Sequence, residues 1–140
     1  MTKTGYKYSE LTGEVIGAAM EVHRILGNGY PELIYQRALS IELDLRGIPH
    51  LLEQEVPLSY KGRSIGSRRM DLFVDGKVMV ELKAVLETDD GDLAQAINYL
   101  EATGLEVGLL INFGSRSLYF KRLYPPYGRT AKPAGTIPAI

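Results

Sequence analysis

The sequence predicts an α/β (α+β) domain in which a mixed β-sheet is flanked by helices, in the order α-α-β-β-β-α-β-β. Three observations lead there. Two segments with the helical period of apolar residues open the chain, and each is stopped by a glycine. The period changes to two from about residue 49 to residue 85. A further helical segment then separates that region from the apolar run "EVGLLINFG".

In "SELTGEVIGAAMEVHRIL", Leu11, Val15, Ala18, Ala19, Val22 and Leu26 recur at three- and four-residue spacings, which predicts a helix over Ser9 to Leu26 with Gly27 as its C-terminal stop. His23 near its end lies where a helix dipole favours a cation. Pro31 suits the first turn of a second helix through "ELIYQRALSIELDLRG", with Leu33 or Ile34, Ala38, Ile41 and Leu45 as its buried stripe and Gly47 as its end. "LLEQEVPLSYKGRSIG" reads as a strand, at an edge or with a bulge because of Pro57, followed by a turn at Lys61-Gly62. "RRMDLFVDGKVMVELKAV" supplies two more strands. "GDLAQAINYLEATG" is a helix burying Leu93, Ala96, Ile97 and Leu100, ended by Gly104. "EVGLLINFG" is apolar throughout, as in a strand buried on both faces, and "SLYFKRL" is the last strand. The expected division is one domain over 1–124 and a Pro/Gly-rich tail over 125–140.

Composition excludes several classes of function. With 45% hydrophobic and 24% charged residues, the chain is neither disordered nor fibrous. Without cysteine there is no disulfide, thiolate zinc site or cysteine nucleophile, which suits the cytoplasm. "MTKTGYKYSE" lacks the apolar run of a signal peptide, and no window approaches the roughly 18 apolar residues of a membrane span, so no membrane partner is expected. The net charge of −1 is unevenly spread: residues 1–114 carry −6 and residues 115–140 carry +5. Lys61, Arg63, Arg68 and Arg69 form a second basic cluster. An acidic centre between basic patches suits a metal site that also holds a polyanion, though solvated strand ends and a basic tail read the same way.

The hairpin around Asp75-Gly76 can be tested by parity. A two-residue type I′ turn makes facing residue numbers total 151 and drives Asp71 into the face that holds Val78, Val80 and Leu82. A lone carboxylate buried among aliphatics costs several kcal/mol. A three-residue bulged loop with Gly76 at positive φ makes the total 150. Leu72, Val74, Val78, Val80 and Leu82 then form one apolar face, while Asp71, Phe73, Met79, Glu81 and Lys83 share the other. Two close carboxylates call for a proton or a cation, and oxygen ligands suit Mg²⁺ or Mn²⁺. A lysine beside them can position a metal-bound water and offset phosphate charge, which is phosphodiester chemistry. An exposed strand face with a Glu–Lys pair has the same residue pattern.

The spacing D-x9-E-L-K, preceded by a helix carrying an acid and followed by a helix carrying "QAINY", resembles the PD-(D/E)xK nuclease superfamily. "GYPELIY" at 29–35 resembles the signature of the GxxExxY family, a bacterial group assigned to that superfamily. The resemblance covers about residues 10–123 and includes "LGNGYPELIYQRAL", "LAQAINYL" and "GLLINFG". It implies a restriction-endonuclease-like core and a metal-dependent nuclease acting on nucleic acid, DNA before RNA; a homodimer is compatible because one small domain covers little nucleic acid and the tail could reach a neighbour. It also implies roles: Asp71 and Glu81 as metal ligands with the Leu82 carbonyl, Lys83 as the catalytic lysine, and Glu32 as the acid supplied by the first-motif helix. Gln95 and Tyr99 match the Q-x-x-x-Y motif that helps orient the lysine, and Tyr35 lies one turn from Glu32. Arg68, Arg69, Lys121 and Arg122 are the expected nucleic-acid contacts. Met70 stands where the motif has proline, which is not a ligand. Glu32 also suits a helix start, and Tyr99 a core rim. The alternative function is a catalytically silent nucleic-acid- or protein-binding module that keeps the fold.

Overall fold

The computed structural model describes residues 7–126; the expected tail lies outside them except for Pro125 and Pro126. The elements are α1 (Ser9–Leu26), α2 (Glu32–Leu45), β1 (His50–Tyr60), β2 (Arg63–Val74), β3 (Val78–Lys83), α3 (Asp90–Thr103), β4 (Val107–Asn112) and β5 (Tyr119–Leu123), in the predicted order. The strands form one open sheet in the order β1-β2-β3-β4-β5. Only β3 and β4 are parallel, and α3 makes the crossover between them.

Helices α1 and α2 cover one face of the sheet. Val15, Ala18, Ala19, Val22, Tyr35, Leu39 and Leu43 pack there on Leu72, Val74, Val78, Val80 and Leu82 and on Val107, Leu109 and Ile111. Helix α3 covers the other face, with Ala96, Leu100 and Ala102 against Phe73, Met79, Leu110 and Leu123. β4 is buried at every position, as its continuous apolar run predicts.

Two expectations are corrected. In α2 the buried residues are Tyr35, Gln36, Leu39 and Leu43, whereas Leu33, Ile34, Ile41 and Leu45 are exposed. The helix offers two apolar stripes of similar strength, and the one containing Tyr35 prevails through its aromatic ring. That ring stacks on Phe113 at 4.6 Å between centroids, while its hydroxyl donates to the Gly27 carbonyl at 2.5 Å. Tyr35 is therefore a core residue, its ring wholly buried.

The β2–β3 hairpin has facing numbers that total 152, as in Val74↔Val78, and not 150. Asp75 and Gly76 both have positive φ (53° and 65°), and the Lys77 N–H donates to Val74 O at 2.9 Å. This is a tight turn of the I′ kind with Lys77 as the extra residue, so the loop is three residues long and the parity is kept. The predicted division of β3 into two faces therefore stands: Val78, Val80 and Leu82 face α1 and α2, and Met79 faces α3.

β1 is an edge strand, which accommodates Pro57. Its bulge falls beyond Pro57, between Leu58↔Gly66 and Ser59↔Ser64, leaving Ile65 as the unpaired residue. Lys61 and Gly62, at φ 49° and 79°, close this hairpin as a two-residue turn.

Candidate active site

The site begins where sheet pairing fails. β2 and β3 pair only as far as Leu72↔Val80, and at the next step the Asp71 carboxylate takes the place of a main-chain acceptor. Its Oδ2 accepts the Leu82 N–H at 2.7 Å. β1 is distorted at the same level, because Glu53 adopts φ 54° and drops out of the ladder between Leu52↔Leu72 and Gln54↔Met70. Side-chain alternation breaks there. Leu72 belongs to the core under α1 and α2, yet Met70, two residues earlier, belongs to the core under α3. This break carries Arg68 to the α3 side of the sheet.

Glu81, only 2% exposed, projects from β3 toward α3. Its Oε2 accepts from Arg68 Nη2 at 2.9 Å, and the Arg68 guanidinium lies 4.6 Å from the Tyr99 ring centroid. Arg68 Nε is buried and has no hydrogen-bond partner among the described residues. Lys83, one full alternation along β3, places Nζ 3.5 Å from Asp92 Oδ1. Asp92 is held by a reciprocal capping box: its N–H donates to Asp89 Oδ1 at 2.8 Å and its Oδ2 accepts from the Asp89 N–H at 3.1 Å. The chain beyond Lys83 is fastened by buried Asn112, whose Oδ1 accepts from the Val85 N–H and whose Nδ2 donates to Val85 O.

Burial and mutual repulsion act together on the acids. Glu81 is pushed up from 4.5 to about 7, first by burial and then by the charge of Asp71, against the opposing pull of Arg68 and Lys83. Asp71 is raised by burial despite its bond from the Leu82 amide and the nearby cations. Glu32, at the start of α2, is raised by burial and by Asp71, with Lys83 and Arg68 opposing. The three carboxylates and two cations thus feel one another's charge.

The sequence-predicted residues divide accordingly. Asp71, Glu81, Lys83, Glu32, Arg68 and Tyr99 are drawn into one electrostatic group, and Leu82 takes part through its main chain. Gln95 is exposed on the stripe of α3 that also carries Asp92 and Tyr99. Arg69 turns away to Glu53 and Glu55, at 3.1 and 3.8 Å. Lys121 is exposed on β5, two strands from β3, and Arg122 Nε donates to Thr12 Oγ1 at 3.0 Å on α1. His23 sits against the Ser115 carbonyl, at 3.0 Å.

Sequence reasoning missed Asp92, Glu53 and Gln36. Gln36 is buried one turn after Glu32, and its Nε2 donates to Glu53 Oε2 at 3.3 Å. Helical spacing was the available signal: three residues from Asp92 to Gln95, and four from Glu32 to Gln36.

The donor set fits a hard divalent cation, since carboxylate oxygens made costly to ionise by burial are those that a cation relieves. Among the described residues no three His, Asp or Glu side chains form a ready metal cage, and the guanidinium of Arg68 neutralises Glu81 instead. The model of the PD-(D/E)XK nuclease superfamily matches residues 9–123. No curated protein and no solved structure matches the chain.

Proposed function

Because the chain belongs to the PD-(D/E)XK nuclease superfamily, we propose that it is a metal-dependent nuclease that hydrolyses phosphodiester bonds with Asp71, Glu81 and Lys83. The observation that carries this reading is the convergence of the three on one side of the β2–β3 pair, where burial lifts Glu81 to about 7. We place the chain in the GxxExxY group through "GYPELIY", with DNA before RNA as substrate and the cytoplasm as its location. Among the described residues no helix is long and apolar enough to cross a membrane.

Asp71, Glu81 and the Leu82 carbonyl would hold Mg²⁺ or Mn²⁺, with Glu32 as the third acid. When bound, the ion supplies charge for the phosphoryl oxygens and acidifies water. The chain's own groups do the rest. Lys83, steered by Asp92, orients the attacking water and offsets negative charge at the phosphate. Arg68 keeps Glu81 charge-compensated, and its unpaired Nε is a spare donor for a phosphate oxygen. Tyr99, under the Arg68 guanidinium, and Gln95, exposed on the same stripe of α3, would contact the strand there, while Arg69 and Lys121 attract it from further out. Arg122, held to Thr12, contributes least to this attraction. A homodimer suits the exposed apolar stripe of Ile34, Ile41 and Leu45 on α2.

Incubation with plasmid, linear duplex, single-stranded DNA and RNA tests the reading. Cleavage is expected with Mg²⁺ or Mn²⁺, none with EDTA, and none from Asp71→Asn. No cleavage of any substrate with either ion would overturn it. The Arg68–Glu81 pair favours a second reading, a silent nucleic-acid-binding module in which the arginine has replaced the cation. That module would bind nucleic acid equally well with and without metal, and Lys83→Ala would leave its binding unchanged.

A further inference from the structure

Among the described residues the proposed chemistry leaves concave surface unused. A groove of about 650 Å³ lies between the β1–β2 hairpin and α3, within the roughly 300–1,000 Å³ range of small-molecule sites. Pro57, Leu58 and Tyr60 on β1, Ile65 on β2, and Tyr99 and Ala102 on α3 form its apolar walls. No acidic residue lines it. The hairpin is shaped for this. The bulge leaves Ile65 unpaired, and Ile65 and Tyr60 are 67% and 62% exposed. Among the described residues nothing covers more than a minor part of either side chain. Lys61 at the turn extends the cationic edge, with its Nζ 5.4 Å from the Tyr60 ring centroid, and Arg63 follows it. At its inner end the groove reaches Tyr99, whose ring carries the guanidinium that touches Glu81. The groove and the acidic site therefore share one wall.

We propose that this groove receives an unpaired nucleobase beside the phosphodiester held at Asp71 and Glu81. The substrate class is then nucleic acid with a single-stranded stretch at the cut: an overhang, a gap or a free strand. The inference rests on the nuclease reading above and names its substrate. A base offers a flat apolar face to Tyr60, Tyr99 and Ile65, and edge groups to the amide of Asn98, which also lines the groove. Its phosphates meet Lys61, Arg63 and Arg68. Bases in a blunt duplex are stacked inside the helix and cannot enter a groove of this kind. An apolar peptide would use the walls but leave the cationic edge unmatched.

The test measures binding in EDTA, where no cut intervenes, using the full chain and labelled duplexes of equal length. One is blunt, and one carries an overhang with 2-aminopurine as its unpaired base. The overhang duplex is expected to bind about tenfold more tightly, the order of one stacked base, with 2-aminopurine fluorescence quenched. In Tyr60→Ala/Ile65→Ala, whose changed side chains are both exposed, the preference falls below about twofold and quenching is lost. Blunt-duplex binding by that variant stays unchanged. Equal affinity of the wild type for both duplexes overturns the subsite, as does a preference that survives in the double variant. If blunt duplex is cleaved in Mn²⁺ with no preference for overhangs, the subsite falls and the nuclease reading stands. If nothing is cleaved while the Tyr60- and Ile65-dependent preference persists, the nuclease reading falls and the base-binding groove stands.

Discussion

The two faces of β3 are made by alternate residues of a six-residue strand and serve opposite ends. Toward α1 and α2 it presents Val78, Val80 and Leu82, each no more than 1% exposed and packed among aliphatics and the buried rings of Tyr35 and Phe113. Toward α3 it presents Met79, Glu81 and Lys83, and the apolar core there gives way to paired charge. The larger core lies entirely on the first face, so the strand is anchored by contacts that do not involve the acids. Buried charge is tolerated on one face because folding rests on the other.

Neighbouring substitutions on β3 test that division most strongly. Glu81→Gln is expected to lower metal-dependent cleavage by about 10³-fold while costing clearly less stability than a core truncation, because the amide oxygen can still accept from Arg68 and replaces a carboxylate that burial disfavours. Leu82→Ala is expected to cost about 2–5 kcal/mol of stability, read in a urea melt. If Glu81→Gln destabilises as much as Leu82→Ala, the two faces do not differ as described.

Acidity sharpens the same contrast, since only the α3 face titrates near neutrality. Glu81 has a folded value near 7 against 4.5 ordinarily, so the native state keeps a proton that the unfolded chain releases between these values. The associated stability is complete below about pH 4.5 and is lost as pH rises through about 7, on the order of 2–3 kcal/mol. Raised values at Asp71 and Glu32 act in the same direction. The Tm of the metal-free protein should therefore fall between about pH 5 and pH 8, and Glu81→Gln should flatten that slope. Divalent cations compete with the proton for the same oxygens, so they should raise Tm more at the alkaline end.

The sequence disclosed the two faces because one is an unbroken aliphatic alternation and a buried lone carboxylate is costly. It disclosed less where the outcome depends on distant partners. The stripe of α2 that is buried is selected by Tyr35 stacking on Phe113, far along the chain, and both stripes look apolar from within the helix. The hairpin total was misplaced because parity restricts it to even values without telling which loop residue is extra. Asp71, Glu81 and Lys83 were legible as a spaced motif. The partner of Glu81 was not, since a strand read as uniformly alternating conceals the break at Asp71 and Glu53 that brings Arg68 across.

Tyr35 tests the corrected reading of α2. Its hydroxyl donates to Gly27 O and accepts the Tyr30 N–H at 3.2 Å, so Tyr35→Phe should cost about 1–2 kcal/mol by leaving the loop groups unpaired. Cleavage at a temperature well below the melt should be retained. Loss of cleavage with Tm unchanged would show that Tyr35 supports the active site.

The smallest effect is expected at Arg69, and it separates two adjacent arginines that sequence treats alike. Arg68 is drawn over Tyr99 onto a buried carboxylate, whereas Arg69 pairs in solvent with Glu53 and Glu55. Exposed pairs of that kind contribute roughly 0–1 kcal/mol, so Arg69→Ala should move stability by no more than about 0.5 kcal/mol. Its consequence belongs to binding: if Arg69 meets one phosphate, the slope of log affinity against log salt should fall by about one, with no change in the preference among substrates. An unchanged slope would assign Arg69 wholly to its two glutamates, and a loss of folding would show that the β1–β2 arm carries stability now attributed to the face beneath α1 and α2.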